Sequence, residues 1–430
     1  MAGAARGLAD PYPVQPISHP LQAAARVPGS KSLTNRALAV AALAEGPTTL
    51  TNALVSDDSQ RFMESLARLG FTLEARPGTV TVHGLGGRLP AARAELFVGN
   101  AGTAARFLTA LVTLGHGEYV VDGDARMRER PIADLLAALR PLGVEAESAS
   151  GCPPVRVRGR GLPGGRAAVA GDISSQFLSG LLLAAPCAQG PVTLEVAGSL
   201  NSKPYVDMTV AVMADFGVRV ERDGYARFMV QPQRYQTPGG YAIESDASAA
   251  SYFFAAPAIC GGAVRVAGIS RRSKQGDLAF LDVLARMGCA VAEGLDWIEV
   301  RHPGRPLAGV DVDLSDLPDT AQTLAAVAPF AASPTTIRGI ASARVKETDR
   351  VAATCAELAR LGVTVAEHAD GLTITPAAAL RPAVVQTYRD HRMAMAFALI
   401  GLRVPGVQIA DPGCVSKTFP DYFQVLEQLR

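Results

Sequence analysis

The stretch RVPGSKSLTNRALAVAALAEG, Arg26–Gly46, joins a Gly-Ser-Lys turn to a segment that is apolar nearly all round. A helix with no polar face is a buried one, and its first N–H groups and positive dipole end must be satisfied by something. Serine and lysine at such a start suit a bound phosphate or carboxylate. A nucleotide P-loop is not the reading, because PGSKS lacks the G-x-x-x-x-G-K-[ST] spacing.

The same design recurs along the chain. Apolar helices followed by glycine or proline are predicted in RALAVAALAEG, RFLTALVTLGHG, FLSGLLLAAPCAQG, ASYFFAAPAICGG, TLAAVAPFAASP and MAMAFALIGLRVPG. Their closing residues Gly46, Gly117, Gly190, Gly262, Pro334 and Gly406 are 71 to 73 residues apart. A second, amphipathic series ends at Gly70, Gly143, Gly217, Gly288 and Gly362, 71 to 74 residues apart, and DYFQVLEQLR at the C-terminus is its sixth member. Short β-rich runs such as EYVVDGD and VTLEVAG follow the first helix, and strand pairs such as TLEARPGTVTVHG follow the second. Each unit therefore reads as helix, strand, helix, strand, strand, with glycine caps where helices stop. Six units of about 72 residues divide into two α/β domains of three, each with buried helices inside a ring of sheets and surface helices. The polar stretch Gln231–Asp246 is the hinge candidate.

The buried helices start at PGSKS, GNAGT, DISSQ, ESDAS, DLPDT and YRDHR, all rich in N-cap residues. Asp246 and Ser248 read as caps and nothing more. The first three starts carry in addition an exposed-backbone glycine, paired serines or a lysine, which suit an anion. Charged clusters lie beside these starts: Arg126, Arg128 and Arg130; Arg344, Lys346, Glu347, Asp349 and Arg350; Asp390, His391 and Arg392; and Lys417. Any one alone reads as a solvated face. Their equivalent placement in successive repeats points to an anionic ligand. Only five of the 41 basic residues are lysines, Lys31, Lys203, Lys274, Lys346 and Lys417, so a retained lysine marks a place where a compact ammonium matters.

A formal net charge of +1 argues against a nucleic-acid or membrane partner. The six cysteines have no zinc-like or C-x-x-C spacing and read as reduced, mostly buried thiols of a cytoplasmic protein. Met1–Pro20 reads as a short irregular lead-in, and no apolar run approaches a membrane span.

Nine motifs in order carry a resemblance: VPGSKSLTNRAL, GNAGTAARFLTA, RMRERPIADL, SSQFLSGLLLAAP, SKPYVDMT, DASAASYF, RVKETDR, DHRMAMAFAL and DPGCVSKTFPDYF. From about residue 17 to the C-terminus the chain resembles the enolpyruvyl transferase family, and within it the members that act on shikimate 3-phosphate. The resemblance implies a two-domain inside-out α/β barrel closing around its substrates. The first domain would span 26–240 and the second 1–25 plus 241–430, joined by a two-strand hinge. It implies enolpyruvyl transfer from phosphoenolpyruvate to the 5-hydroxyl of shikimate 3-phosphate, by a monomer with no metal or organic cofactor.

Carried onto this chain, the resemblance assigns shikimate 3-phosphate to Lys31, Ser32, Arg36, Ser174, Ser175, Gln176, Ser202, Tyr205, Asp319, Ser342 and Lys346. Phosphoenolpyruvate falls to Lys31, Asn100, Gly102, Arg130, Gln176, Glu347, Arg350, Arg392 and Lys417. Arginine forks and point-charge lysines are the expected clamps for a ligand bearing a carboxylate and a phosphate. Lys31, Asp319, Glu347, His391 and Lys417 are the catalytic candidates. Asp319 would accept the hydroxyl proton and Glu347 handle the carbon proton, while Lys31 and Lys417 stabilise charge. Glu347 has a structural alternative as a salt bridge to Lys346 or Arg350, and His391 as a hydrogen-bonded scaffold. Two positions depart from the common family pattern: Phe107 stands where many members have proline, and Ser342 where they have asparagine. Phe107 is expected to alter packing behind the phosphoenolpyruvate pocket. Gly102 is retained, so glyphosate is an expected inhibitor. The rival readings are the sister transferase acting on UDP-N-acetylglucosamine and a non-catalytic phosphometabolite-binding protein. The first typically carries a reactive cysteine in a lid loop, where this chain has DARMRERPI.

Overall fold

The computed structural model describes residues 7–430. The chain forms two compact units. One is the contiguous segment Gly29–Ile243; the other combines the chain up to Pro28 with Glu244–Arg430. Each has its own apolar core.

The contiguous unit contains α1 (Lys31–Leu43), α2 (Asp57–Arg68), α3 (Gly102–Leu111), α4 (Ala133–Leu139), α5 (Ser175–Ala184) and α6 (Lys203–Asp215). The other contains α7 (Ala247–Cys260), α8 (Phe280–Met287), α9 (Ala321–Val327), α10 (Arg350–Arg360), α11 (His391–Gly401) and α12 (Tyr422–Glu427). Odd-numbered helices are the apolar series. Every residue of α3, α9 and α11 is buried, as is every residue of α7 except Ser248. Within each unit the three odd helices pack on one another, α1, α3 and α5 in one and α7, α9 and α11 in the other. A helix that must bury its whole circumference can do so only there.

Five of the six sheets among the described residues have one plan, with an odd helix leading into the second strand of each. In the second repeat the strands run in the order 93–97, 116–122, 155–160, 145–147. The first pair is parallel, because α3 crosses over between its strands, and the remaining pairs are antiparallel. Four further sheets follow this order. The sixth differs: it has three strands, with Tyr12–Pro13 supplying an antiparallel edge to 408–409 beside the parallel strand 384–385. Part of the expected irregular lead-in is thus a short strand, and its residues 1–6 lie outside the described residues.

The strands that precede α1 and α7 are exchanged between units. Leu21–Arg26 pairs in parallel with 262–267 of the repeat begun by α7, and Gly240–Ala242 pairs in parallel with 45–51 of the repeat begun by α1.

The glycine pattern needs one correction. Glycines of the amphipathic series are helix ends in the left-handed region, as at Gly143 (φ +82) and Gly288 (φ +113). Those of the apolar series are not caps, since α1 stops at Leu43 with Ala44 extended, and Gly46, Gly117 and Gly262 sit inside the following strands. At Gly117 a Cβ would lie 2.0 Å from the carbonyl oxygen of Ala92, so glycine is required by close strand approach. All six cysteines are free thiols, but only Cys260 and Cys289 are buried; the other four are half-buried. Among the described residues no helix is long and apolar enough to cross a membrane, and no cluster of three or more His, Cys, Asp or Glu side chains could hold a metal ion.

Candidate active site

In the contiguous unit the starts of α1, α3 and α5 carry the predicted residues. Ser30 caps α1 by accepting from the Leu33 N–H, and Ser174 caps α5 by accepting from that of Gln176. Lys31, the first residue of α1, has its Nζ 3.6 Å from Oδ2 of buried Asp58. α3 has no side-chain cap, its N-cap being Ala101. Here GNAGT instead holds an arginine: Arg130 Nη1 donates to the carbonyl of Asn100 at 3.1 Å and to its Oδ1 at 2.9 Å. The guanidinium sits against bare backbone here: a Cβ on Gly102 would lie 2.4 Å from Arg130 Nη2, so the arginine or the helix start would have to shift. Gln176 Nε2 donates to Thr103 Oγ1 at 3.3 Å, tying the start of α5 to that of α3.

Arg36 is buried along α1. Its Nε donates to Thr209 Oγ1, Nη1 to the Ser32 carbonyl and Nη2 to the Tyr205 carbonyl, at 2.7, 3.0 and 2.9 Å. Burial pushes the guanidinium down to about 10. Its Cζ stands 5.3 Å from the centroid of Phe107. Phe107 therefore lies against the arginine assigned to shikimate 3-phosphate, as a cation–π partner. Arg36 also joins Ser32 of α1 to Tyr205 of α6. Ser202 precedes α6 in the left-handed region (φ +57), and Ser175 is buried at the start of α5.

In the other unit one ionic network gathers residues from four segments. Asp319 Oδ1 accepts from Lys346 Nζ at 2.7 Å and from Arg350 Nη1 at 3.0 Å, and its Oδ2 accepts from Arg392 Nη2 at 2.7 Å. Glu347 Oε2 accepts from Arg350 Nη2 at 2.9 Å, with Lys417 Nζ 3.7 Å from Oε1. The salt bridge open to Glu347 is thus present. Asp390 caps α11 through the Arg392 N–H and grips Arg350 at Nε (2.7 Å) and Nη2 (3.2 Å). Burial opposes the charge on Arg350, but Asp390, Glu347 and Asp319 outweigh it and hold its pKa above the ordinary guanidinium value. For Lys346 burial wins, and its pKa is lowered despite the pull of Asp319. His391 is completely buried, with Nδ1 3.5 Å from Asp390 Oδ1. Ser342 lies on the 3-10 turn Ala341–Val345 that leads into Lys346.

Not every charged cluster turns inward. Arg126 pairs with Glu129, and Arg128 with Asp122. Arg344 pairs with Asp349 and Glu367 and donates to the carbonyls of His368 and Ala369. From the first two clusters, Arg130, Lys346, Glu347 and Arg350 join the groups described above. Two acidic residues went unmarked in the sequence. Asp58 looks like an ordinary acidic residue in the first turn of a helix. Asp277 is buried, accepts the Ser248 hydroxyl, and is pushed up to about 6 by burial first and by nearby Asp319 next. Asp246 caps α7 at the Ala249 N–H, as expected, but Ser248 is a hydrogen-bond donor to Asp277.

A family model described as EPSP synthase (3-phosphoshikimate 1-carboxyvinyltransferase) matches residues 15–426. The chain belongs to the EPSP synthase family. A 3-phosphoshikimate 1-carboxyvinyltransferase of a Nostoc species is 50% identical over 419 residues, covering 96% of this chain and 98% of the relative. One from a Marinomonas species is 49% identical over 409 residues, covering 94% and 96%. A solved EPSP synthase of Acinetobacter baumannii superposes with a TM-score of 0.80 at 25% identity, covering 97% of each chain. The two-domain α/β fold of this family is that of the present chain.

Proposed function

We propose that the chain catalyses the reaction that names its family: the carboxyvinyl group of phosphoenolpyruvate passes to the 5-hydroxyl of shikimate 3-phosphate, and phosphate is released. The carrying observation is the network in which two carboxylates, Asp319 and Glu347, stand among Lys346, Arg350, Arg392 and Lys417 in a chain of this family. The hydroxyl oxygen attacks carbon 2 while carbon 3 gains a proton; the tetrahedral intermediate then expels phosphate as carbon 3 loses a proton. One base and one proton carrier are needed. Asp319 takes the hydroxyl proton, and Glu347 delivers and later recovers the carbon proton. Lys31 and Lys417 stabilise the charge on the phosphate as it leaves. His391, buried behind Asp390, is a scaffold residue.

Shikimate 3-phosphate is assigned to Lys31, Ser32, Arg36, Ser174, Ser175, Gln176, Ser202, Tyr205, Asp319, Ser342 and Lys346. Phosphoenolpyruvate is assigned to Lys31, Asn100, Gly102, Arg130, Gln176, Glu347, Arg350, Arg392 and Lys417. The enzyme acts as a cytoplasmic monomer in the making of aromatic amino acids.

A phosphate-release assay with phosphoenolpyruvate and either shikimate 3-phosphate or UDP-N-acetylglucosamine tests the reaction. Release is expected only with shikimate 3-phosphate; release with neither would favour a binding protein, and release with the nucleotide sugar would favour the sister enzyme. Glyphosate is expected to inhibit competitively against phosphoenolpyruvate, and initial rates showing no competition would remove it as a ligand of the Gly102 pocket. Lys31→Arg is expected to lower kcat by about a hundredfold, because a planar fork cannot replace a compact ammonium beside Asp58. Its Tm should stay near that of the parent, and near-normal turnover would refute the role given to Lys31.

A further inference from the structure

The segment before α11 contains two consecutive non-glycine residues in the left-handed region, Tyr388 (φ +54) and Arg389 (φ +57). Side chains rarely adopt this conformation, and two in succession persist only where neighbours hold them. The Asp390 N–H closes the turn over this pair by donating to the Thr387 carbonyl at 2.8 Å, and one carboxylate ties the turn to α10. Glu357 on α10 is completely buried; its Oε2 accepts from the Gln386 N–H at 2.9 Å and its Oε1 from the Tyr388 hydroxyl at 2.8 Å. Arg360 Nε, 3.0 Å from Oε2, supplies the countercharge. Glu357 lies two turns beyond Arg350 on the same helix face. α10 therefore grips this segment twice: through Glu357 at Gln386 and Tyr388, and through Arg350 at Asp390. The strained pair spans the two grips.

We propose that Tyr388 and Glu357 are positioning residues for the phosphoenolpyruvate arginines, a strap that holds the strained turn so that Asp390 meets Arg350 and caps α11 through the Arg392 N–H. The inference rests on the assignment of Arg350 and Arg392 to phosphoenolpyruvate. Without the Tyr388 hydroxyl the turn relaxes toward ordinary backbone angles. Asp390 shifts with it, and both arginines lose one of the two carboxylates they share, keeping only Asp319. Neither Tyr388 nor Glu357 need touch substrate.

The test is steady-state kinetics of Tyr388→Phe, Arg389→Asn and the double variant, with Arg350→Lys as reference. Tyr388 is 41% exposed, so loss of its hydroxyl leaves the core intact. Tyr388→Phe is expected to raise KM for phosphoenolpyruvate about tenfold while kcat and KM for shikimate 3-phosphate stay within about threefold. Asparagine tolerates the left-handed region, so Arg389→Asn alone should leave the kinetics unchanged, and in the double variant it should return KM to within about threefold of the parent. A merely structural contact would lower Tm without this KM split or its rescue. The strap is overturned if Tyr388→Phe leaves KM for phosphoenolpyruvate unchanged while Arg350→Lys raises it. If Arg350→Lys also leaves it unchanged, the assignment of Arg350 fails and the strap fails with it.

Discussion

Asp319→Asn should lower kcat by about a hundred- to ten-thousand-fold, the range for loss of a positioned base. The substitution preserves shape and removes charge. In the native site the Asp319 carboxylate draws Lys346, Arg350 and Arg392 together, each within 3.0 Å of an oxygen. An amide in its place turns an N–H₂ group toward cations that can only donate, and it has no affinity for a hydroxyl proton. Two effects therefore follow. Turnover falls because the proton has no acceptor, and KM for phosphoenolpyruvate rises because the arginines repel one another. Measuring phosphate release in a single turnover separates the two, since saturating substrate repairs binding but not chemistry. A single-turnover rate within about threefold of the parent would remove Asp319 from the role of base.

Gly102→Ala should raise KM for phosphoenolpyruvate by about ten- to a hundredfold, the worth of one charge-assisted hydrogen bond, with KM for shikimate 3-phosphate little changed. The new methyl would stand 2.4 Å from Arg130 Nη2 and 2.8 Å from its Cζ. A flexible arginine would swing aside at small cost, but this one is held at Nη1 by both the carbonyl and the side chain of Asn100. The guanidinium must leave those bonds or the start of α3 must move. Glyphosate, assigned to the same pocket, should lose affinity in the same variant. An unchanged KM for phosphoenolpyruvate would show that Arg130 has room to yield.

The sequence exposed the repeats because a helix buried on all sides carries an unmistakable composition, as in α7 and α11. It misread the glycines between them, since a glycine that ends a helix and one that lets strands approach look alike. Gly143 is the first kind and Gly117 the second. The exchange of Leu21–Arg26 and Gly240–Ala242 was illegible for a different reason: strand partners are chosen by distant residues, and neither segment names its own. In the site, Lys346, Glu347 and Arg350 were readable because they sit together in the chain. Arg344, in the same motif, was diverted by Asp349 and Glu367, the latter on a strand no local pattern connects to it. Asp58 and Asp277 were silent because each stands alone among residues with ordinary roles. The contact of the Phe107 ring with Arg36 was also illegible, because that pairing is set by how α1 and α3 pack.

The strand exchange also orders events while the chain is being made. Leu21–Arg26 emerges early, but its partner at 262–267 follows about 240 residues later, and Tyr12–Pro13 waits for 408–409. The contiguous unit has all its strands once Ala242 has left the ribosome, whereas the other needs both chain ends. The nascent protein must therefore carry Leu21–Arg26, a strand with two core-facing residues, Leu21 and Ala25, without its partner throughout the synthesis of the contiguous unit. The strand's brevity, six residues, limits the edge it offers to neighbouring chains during that wait.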